Sequence, residues 1–145
     1  MYKLQFEPVP SGCWYQNLRS ALPKEVWDSI RKTAYAKAQG KCMICGRSTQ
    51  RLEAHERWSY DEERALQKLE TVIAVCRNCH EVIHVGRAYL MGRGNEVMEW
   101  FMKVNGCTQA EYHEELGKAN EIHERRSKID GWVTDISWLK DNLGK

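Results

Sequence analysis

The sequence predicts an α+β fold in which short strands and several helices are tied together by a four-cysteine zinc site. Three observations carry that expectation. Cys42 and Cys45 form one C-x-x-C, and after thirty intervening residues Cys76 and Cys79 form a second. Two short segments inside that interval, 51–56 and 72–75, read as strands, the second being dense in β-branched residues. On both sides of the interval, apolar residues recur at helical spacing.

A chain of 145 residues is the usual size of one globular domain, and the expected organisation is a single domain over 1–145. With 42% apolar and 29% charged residues, six Trp and only three Pro, it has the large side chains a packed core needs and too many of them for disorder. Its longest apolar runs, such as 72–76, are far short of the roughly 20 residues of a membrane span, so no membrane partner is expected. The first residues, Met1-Tyr2-Lys3-Leu4-Gln5-Phe6-Glu7-Pro8, contain no uninterrupted apolar stretch behind a basic start, so the expectation is a cytoplasmic protein. In that reducing compartment six cysteines read as metal ligands or free thiols rather than disulfides.

Taken in order, residues 1–19 read as an irregular arm, broken by Pro8, Pro10 and Gly12, with Phe6, Trp14, Tyr15 and Leu18 free to dock on the body. A helix is predicted over 23–39, because Pro23 suits a first turn, Val26, Trp27, Ile30, Ala34 and Ala38 share a face, and Gly40 ends it. Cys42 to Cys45, followed by Gly46, fits a tight zinc knuckle. Between the two strands, the polar and acidic stretch 60–70, with Leu66 and Leu69 as its aliphatic anchors, is predicted to be a short surface helix. A helix is expected to begin near Cys79 and end by Gly92. Asn95 is expected to cap a helix carrying Val97, Met98, Phe101, Met102 and Val104 that stops at Gly106. Thr108 and Glu111 make a capping box for a helix bearing Leu116, Ala119 and Ile122, and 132–143 is apolar enough to pack back on the core. The region 42–92 is thus the zinc-framed core and 95–145 a helical extension.

Two C-x-x-C pairs can set four thiolates around one ion, and Cys42, Cys45, Cys76 and Cys79 are the expected ligands of a structural Zn2+. Thiolates favour zinc over magnesium or calcium, with iron the remote alternative. A closed four-sulfur site leaves no position for substrate, so it explains folding and not activity. It also takes the formal net charge from +2 to about zero, which removes any case for steering by global charge. Cys13 and Cys107 read as buried apolar fillers.

Three of the five histidines lie within the zinc-framed segment: His55 in Glu53-Ala54-His55-Glu56, then His80 and His84 in Cys79-His80-Glu81-Val82-Ile83-His84. Four residues apart on a helix, His80 and His84 share one face and can point at one ion or phosphate. On these residues the segment 42–84 resembles the HNH (His-Asn-His) endonuclease family, whose zinc-stapled ββα-metal core joins C-x-x-C, a His-bearing strand, and a C-x-x-C-H that opens a helix. The resemblance implies that His55 is the general base and that His80 and His84 hold a catalytic divalent ion, Mg2+, Mn2+ or Ni2+. It also implies hydrolysis of phosphodiester bonds in DNA by a protein of phage or bacterial type. Two positions depart from the family pattern: Ala54 stands where many members have an Asp or His ligand, and Thr71 where they have the asparagine. Those departures keep a second reading in view, a catalytically degenerate HNH-fold zinc module that binds nucleic acid or a protein partner, for example as an inhibitor of a DNA-processing complex.

For a DNA partner, the candidate contacts are Arg87 and Arg93 on phosphates and Trp58, with Tyr60, on bases. Arg125, Arg126 and Lys128 form a second basic cluster, while Glu53, Glu56, Asp61, Glu62 and Glu63 oppose a nucleic-acid backbone. His113 and His123 lie in a charged helix and read as surface residues.

Overall fold

In a computed structural model of the chain, residues 2–14 and 17–142 are described. Helix α1 (Leu18–Ala21) leads into α2 (Lys24–Ala38), which is followed by strands β1 (Leu52–Asp61) and β2 (Leu66–Cys76). Four helices come next, α3 (Arg77–Ile83), α4 (Val85–Leu90), α5 (Gly94–Asn105) and α6 (Gln109–Ser127). Strand β3 (Val133–Asp135) and helix α7 (Trp138–Asn142) close the described chain. The class is therefore mixed α+β, with a three-stranded sheet in the order β1-β2-β3, in which β1 and β2 are antiparallel and β3 runs parallel to β2.

The second half of β2 is the centre of the molecule. Val72, Ile73, Ala74, Val75 and Cys76 are all buried, the continuous apolar run expected of a strand covered on both faces. Ile73 and Val75 turn into a cluster with Val82, Ile83, Val97, Phe101 and Tyr112 of the helices that follow, together with Leu4. Val72 and Ala74 turn the other way, against Ile30 and Ala34 of α2, Leu18 of α1 and Leu139 of α7. In register, His55 lies opposite Ile73, Glu53 opposite Val75 and Arg57 opposite Thr71. Paired residues share a face, so Glu53, His55 and Arg57 project toward α3.

Several boundaries differ from the sequence reading. Residues 60–70 form no helix: β1 continues to Asp61, Asp61 Oδ1 accepts from the Arg64 amide at 3.1 Å, and Ala65 takes the left-handed conformation that starts β2. Gln67 and Leu69 point inward, each 1% exposed, and Gln67 satisfies its amide with the Tyr60 hydroxyl at 3.2 Å and the Thr134 hydroxyl at 3.1 Å. The expected helix from Cys79 to Gly92 starts earlier, with the Cys76 sulfur accepting from the Cys79 amide, and it breaks at His84 into α3 and α4. Arg93, not Asn95, occupies the N-cap of α5, while the Thr108–Glu111 capping box of α6 is present as expected. The arm holds a 3-10 turn (Ser11–Cys13) and the start of α1, and the C-terminal extension includes β3. Cys13 is buried, whereas Cys107 is half-buried. Tyr15 and Leu143, assigned above to docking and to the last apolar segment, lie outside the described residues. Among the described residues no helix is long and apolar enough to cross a membrane.

Candidate functional site

Local backbone preferences build the cysteine centre. After α2, Cys42 takes an amide bond to the Arg47 carbonyl at 2.9 Å, and the Gly46 amide returns to the Cys42 carbonyl at 2.9 Å. That tight return needs Gly46 at φ +81, where a side chain is strained. The knuckle is anchored to the sheet by the Met43 amide, which donates to the Ala74 carbonyl at 2.9 Å. The other pair is set by β2 running straight into α3.

The four sulfurs lie within 4.8 Å of one another, with Cys42, Cys76 and Cys79 buried and Cys45 half-buried. Their donors suit a thiolate set. The Ile44 and Cys45 amides approach the Cys42 sulfur at 3.5 Å, the Cys79 amide approaches Cys76 at 3.4 Å, and the Trp100 indole N–H approaches Cys79 at 3.3 Å. Crowding also splits their acidities: contacts with the Cys76 and Cys79 thiols hold Cys42 well below its ordinary value, while the neighbouring Cys42 pushes Cys76 and Cys79 up. Four thiols so close cannot all ionise without a cation among them, and a soft divalent ion such as zinc removes the conflict.

Adjacent to that centre is a second cluster. His55, His80 and His84 each offer a ring nitrogen within 4.8 Å of the other two, and the ring centroids are 5.0–5.3 Å apart. The convergence is inherited from the fold: β1 presents His55 on the face that α3 covers, and the one-turn step from His80 to His84 survives the helix break because the His84 amide still donates to the His80 carbonyl at 3.2 Å. His55 is 3% exposed, and its Nε2 pairs with Glu7 Oε1 at 2.9 Å. His80 Nδ1 pairs with Glu53 Oε1 at 2.8 Å. Burial pushes His84 down to about 3, reinforced by His80 and His55, and burial also lowers His80 although Glu53 opposes it. Two neutral imidazoles with ring nitrogens this close, one of them backed by a carboxylate, make a donor set that could hold a divalent ion.

Glu7 is the residue that sequence reasoning missed. Burial pushes its carboxyl up, but the hydrogen bond and charge of His55 and the ion pair with Arg57, at 3.1 Å, prevail and leave it lowered. It comes from 48 residues away in the chain, and no motif marks it. Glu53 emerges as the partner of His80, whereas Glu56 turns from the cluster and accepts from the Leu18 amide at 2.6 Å.

The expected nucleic-acid contacts fall in different places. Arg87 is exposed on α4, three residues beyond His84, and its charge adds a minor part to the lowering of His80 and His84. Arg93 is engaged by both carboxylate oxygens of Glu81. Trp58 packs in the apolar cluster on the α2 side of the sheet, away from the histidines. Tyr60 lies under the Arg126 guanidinium at 5.0 Å and against Trp132. Arg125 and Arg126 both clamp Glu62 at the hairpin tip. His113 is exposed; His123 is half-buried and stacks on Trp14.

Compared with protein-family models, with curated proteins and with solved structures, the chain matches none.

Proposed function

We propose that the chain is an HNH-like, divalent-metal-dependent endonuclease that hydrolyses phosphodiester bonds in DNA, built on a ββα-metal core of β1, β2 and α3 with a structural zinc on its four cysteines. The observation that carries the reading is the convergence of His55, His80 and His84. Glu7 engages Nε2 of His55, so Nδ1 is the nitrogen that accepts a proton from an attacking water near neutral pH. His80, held through Nδ1 by Glu53, and His84 would together hold the divalent ion. A divalent ion held there would supply stabilisation of negative charge on the phosphate and its leaving oxygen. Arg57 and Arg87 flank the cluster as cations for the DNA backbone and offset Glu7 and Glu53.

A plasmid cleavage assay with Mg2+, Mn2+ or Ni2+, with and without chelator, tests the proposal. Metal-dependent nicking is expected, and His55→Ala should lower its rate by roughly 100-fold to 10,000-fold, the range a general base supplies, with the fold retained. Cleavage undiminished in His55→Ala, or none with any of these ions, rejects the nuclease. One observation favours the second reading, a degenerate HNH-fold module that binds nucleic acid or protein: Ala54, where a ligand would stand, packs in the α2-side cluster and offers no donor. Absence of cleavage together with DNA binding would establish that alternative.

A further inference from the structure

The carboxylate on His55 comes from the N-terminal arm, and the arm is fixed on both sides of it. Leu4 is fully buried, and its amide and carbonyl are both bonded to the Asn105 side chain, at 3.0 and 2.9 Å. Phe6 stacks on Phe101 with centroids 4.9 Å apart, and the Glu7 amide donates to the Ile83 carbonyl at 3.1 Å, one residue before His84. The backbone of Glu7 is therefore pinned to the end of the helix that carries His80.

The side chain is fixed as well. Oε1 meets His55 Nε2 at 2.9 Å, and Oε2 meets the Arg57 guanidinium at 3.1 and 3.3 Å. His55 and Arg57 are two apart on β1 and project from one face, so a single carboxylate bridges neighbouring side chains of that strand. A carboxylate accepts and cannot donate at that contact, so it fixes the proton of a neutral His55 on Nε2. His55 is 3% exposed and the Glu7 side chain 22%, so the carboxylate shields Nε2 from solvent, and truncating it opens that nitrogen to exchange with water.

We infer that Glu7 is the positioning residue of His55: it holds the imidazole as its Nε2–H tautomer, keeps Nδ1 as the basic nitrogen, and makes the N-terminal arm part of the active site. The kinetic consequence rests on the nuclease reading; the hydrogen bond itself does not. A purely structural tie would anchor the arm and leave the His55 ring proton and the turnover of a folded variant unchanged.

The test compares wild type, Glu7→Gln and Glu7→Ala as full-length, zinc-loaded protein at about pH 8, where an ordinary histidine is neutral. Ring-nitrogen-edited NMR reads a slowly exchanging His55 Nε2–H proton, and plasmid cleavage reads kcat and KM. The resonance should be present in wild type and in Glu7→Gln, whose amide oxygen still accepts, and lost by exchange in Glu7→Ala. Glu7→Ala should lose about 100-fold in kcat, the scale of a misplaced reacting group, with KM little changed, and Glu7→Gln should recover most of it. The inference is overturned if the Nε2–H resonance persists in Glu7→Ala, if it vanishes in a folded Glu7→Gln, or if Glu7→Ala turns over at the wild-type rate. Should Glu7→Ala fail to fold, wild type and Glu7→Gln decide by the resonance alone. A wild type that shows the resonance and no cleavage rejects the nuclease and leaves the hydrogen bond standing.

Discussion

Cys79 and His80 are consecutive residues on one helix, yet they belong to clusters with opposite surroundings. Around the cysteines, backbone amides and the Trp100 indole approach the sulfurs, and three of the four are buried. Around the histidines, carboxylates stand behind two rings, Arg57 pairs with one of those carboxylates, and His80 and His84 are half-buried. Adjacent positions on one helix thus serve two donor sets of different chemistry, four sulfurs in one and three imidazoles in the other. The lesson is that ligand type and what backs each ligand, rather than the mere clustering of metal-binding side chains, sort structural centres from chemical ones.

The largest effect should come from attacking the cysteine centre. Cys76→Ser is expected to lose the single zinc and, with it, cooperative folding of the hairpin and α3. Structural zinc contributes roughly 10–16 kcal/mol in small zinc domains, as much as the whole stability of an ordinary domain, about 5–15 kcal/mol. Elemental analysis and thermal melting check it, and unchanged zinc content with unchanged melting would erase the contrast between the two centres.

A smaller effect is expected behind the histidine cluster. Glu53→Gln leaves His80 a neutral partner, and losing the carboxylate behind a metal-holding histidine weakens metal binding about 10-fold to 100-fold. Calorimetric titration of the zinc-loaded protein with Ni2+ or Mn2+ measures it; an affinity equal to wild type would show that Glu53 does not tune that site.

The smallest concerns acid. His84 is held near 3 by burial, below its ordinary value of about 6.5, so the unfolded chain binds its proton first. Its contribution to stability is complete above about pH 6.5 and is lost progressively as the pH falls toward about 3. Denaturation midpoints of wild type and His84→Asn, both zinc-loaded and without a second ion, should therefore draw together as the pH is lowered from about 7 to about 5.5, before acid takes the cysteine thiolates from their ion. Parallel curves would mean that the imidazole is not buried neutral.

Sequence made the cysteine pairs and the pair His80 and His84 readable through short-range spacing, two residues between ligands at a knuckle and four along a helix, whereas His55 joined them only through the family resemblance. The hairpin tip was misread because Leu66 and Leu69, three apart, mimic a helical face. The inward residues are Gln67 and Leu69, and a buried amide satisfied by Tyr60 and Thr134 disguises strand alternation as surface polarity. Glu7 was invisible for a different reason. Its role exists only through a contact spanning 48 residues, and a lone glutamate in an arm has no spacing to be read.

The doubly covered half of β2 also bears on how the chain must be handled. Val72, Ile73, Ala74 and Val75 form an uncharged, β-rich run of the kind that pairs with copies of itself when bared, and it ends at Cys76 of the four-cysteine cluster, which could hold a zinc ion. Stripping the ion loosens the strand at that end. Prolonged exposure to chelator or thiol oxidant should then lead to irreversible precipitation rather than a refoldable apo-protein, and metal supply during expression becomes a condition for yield.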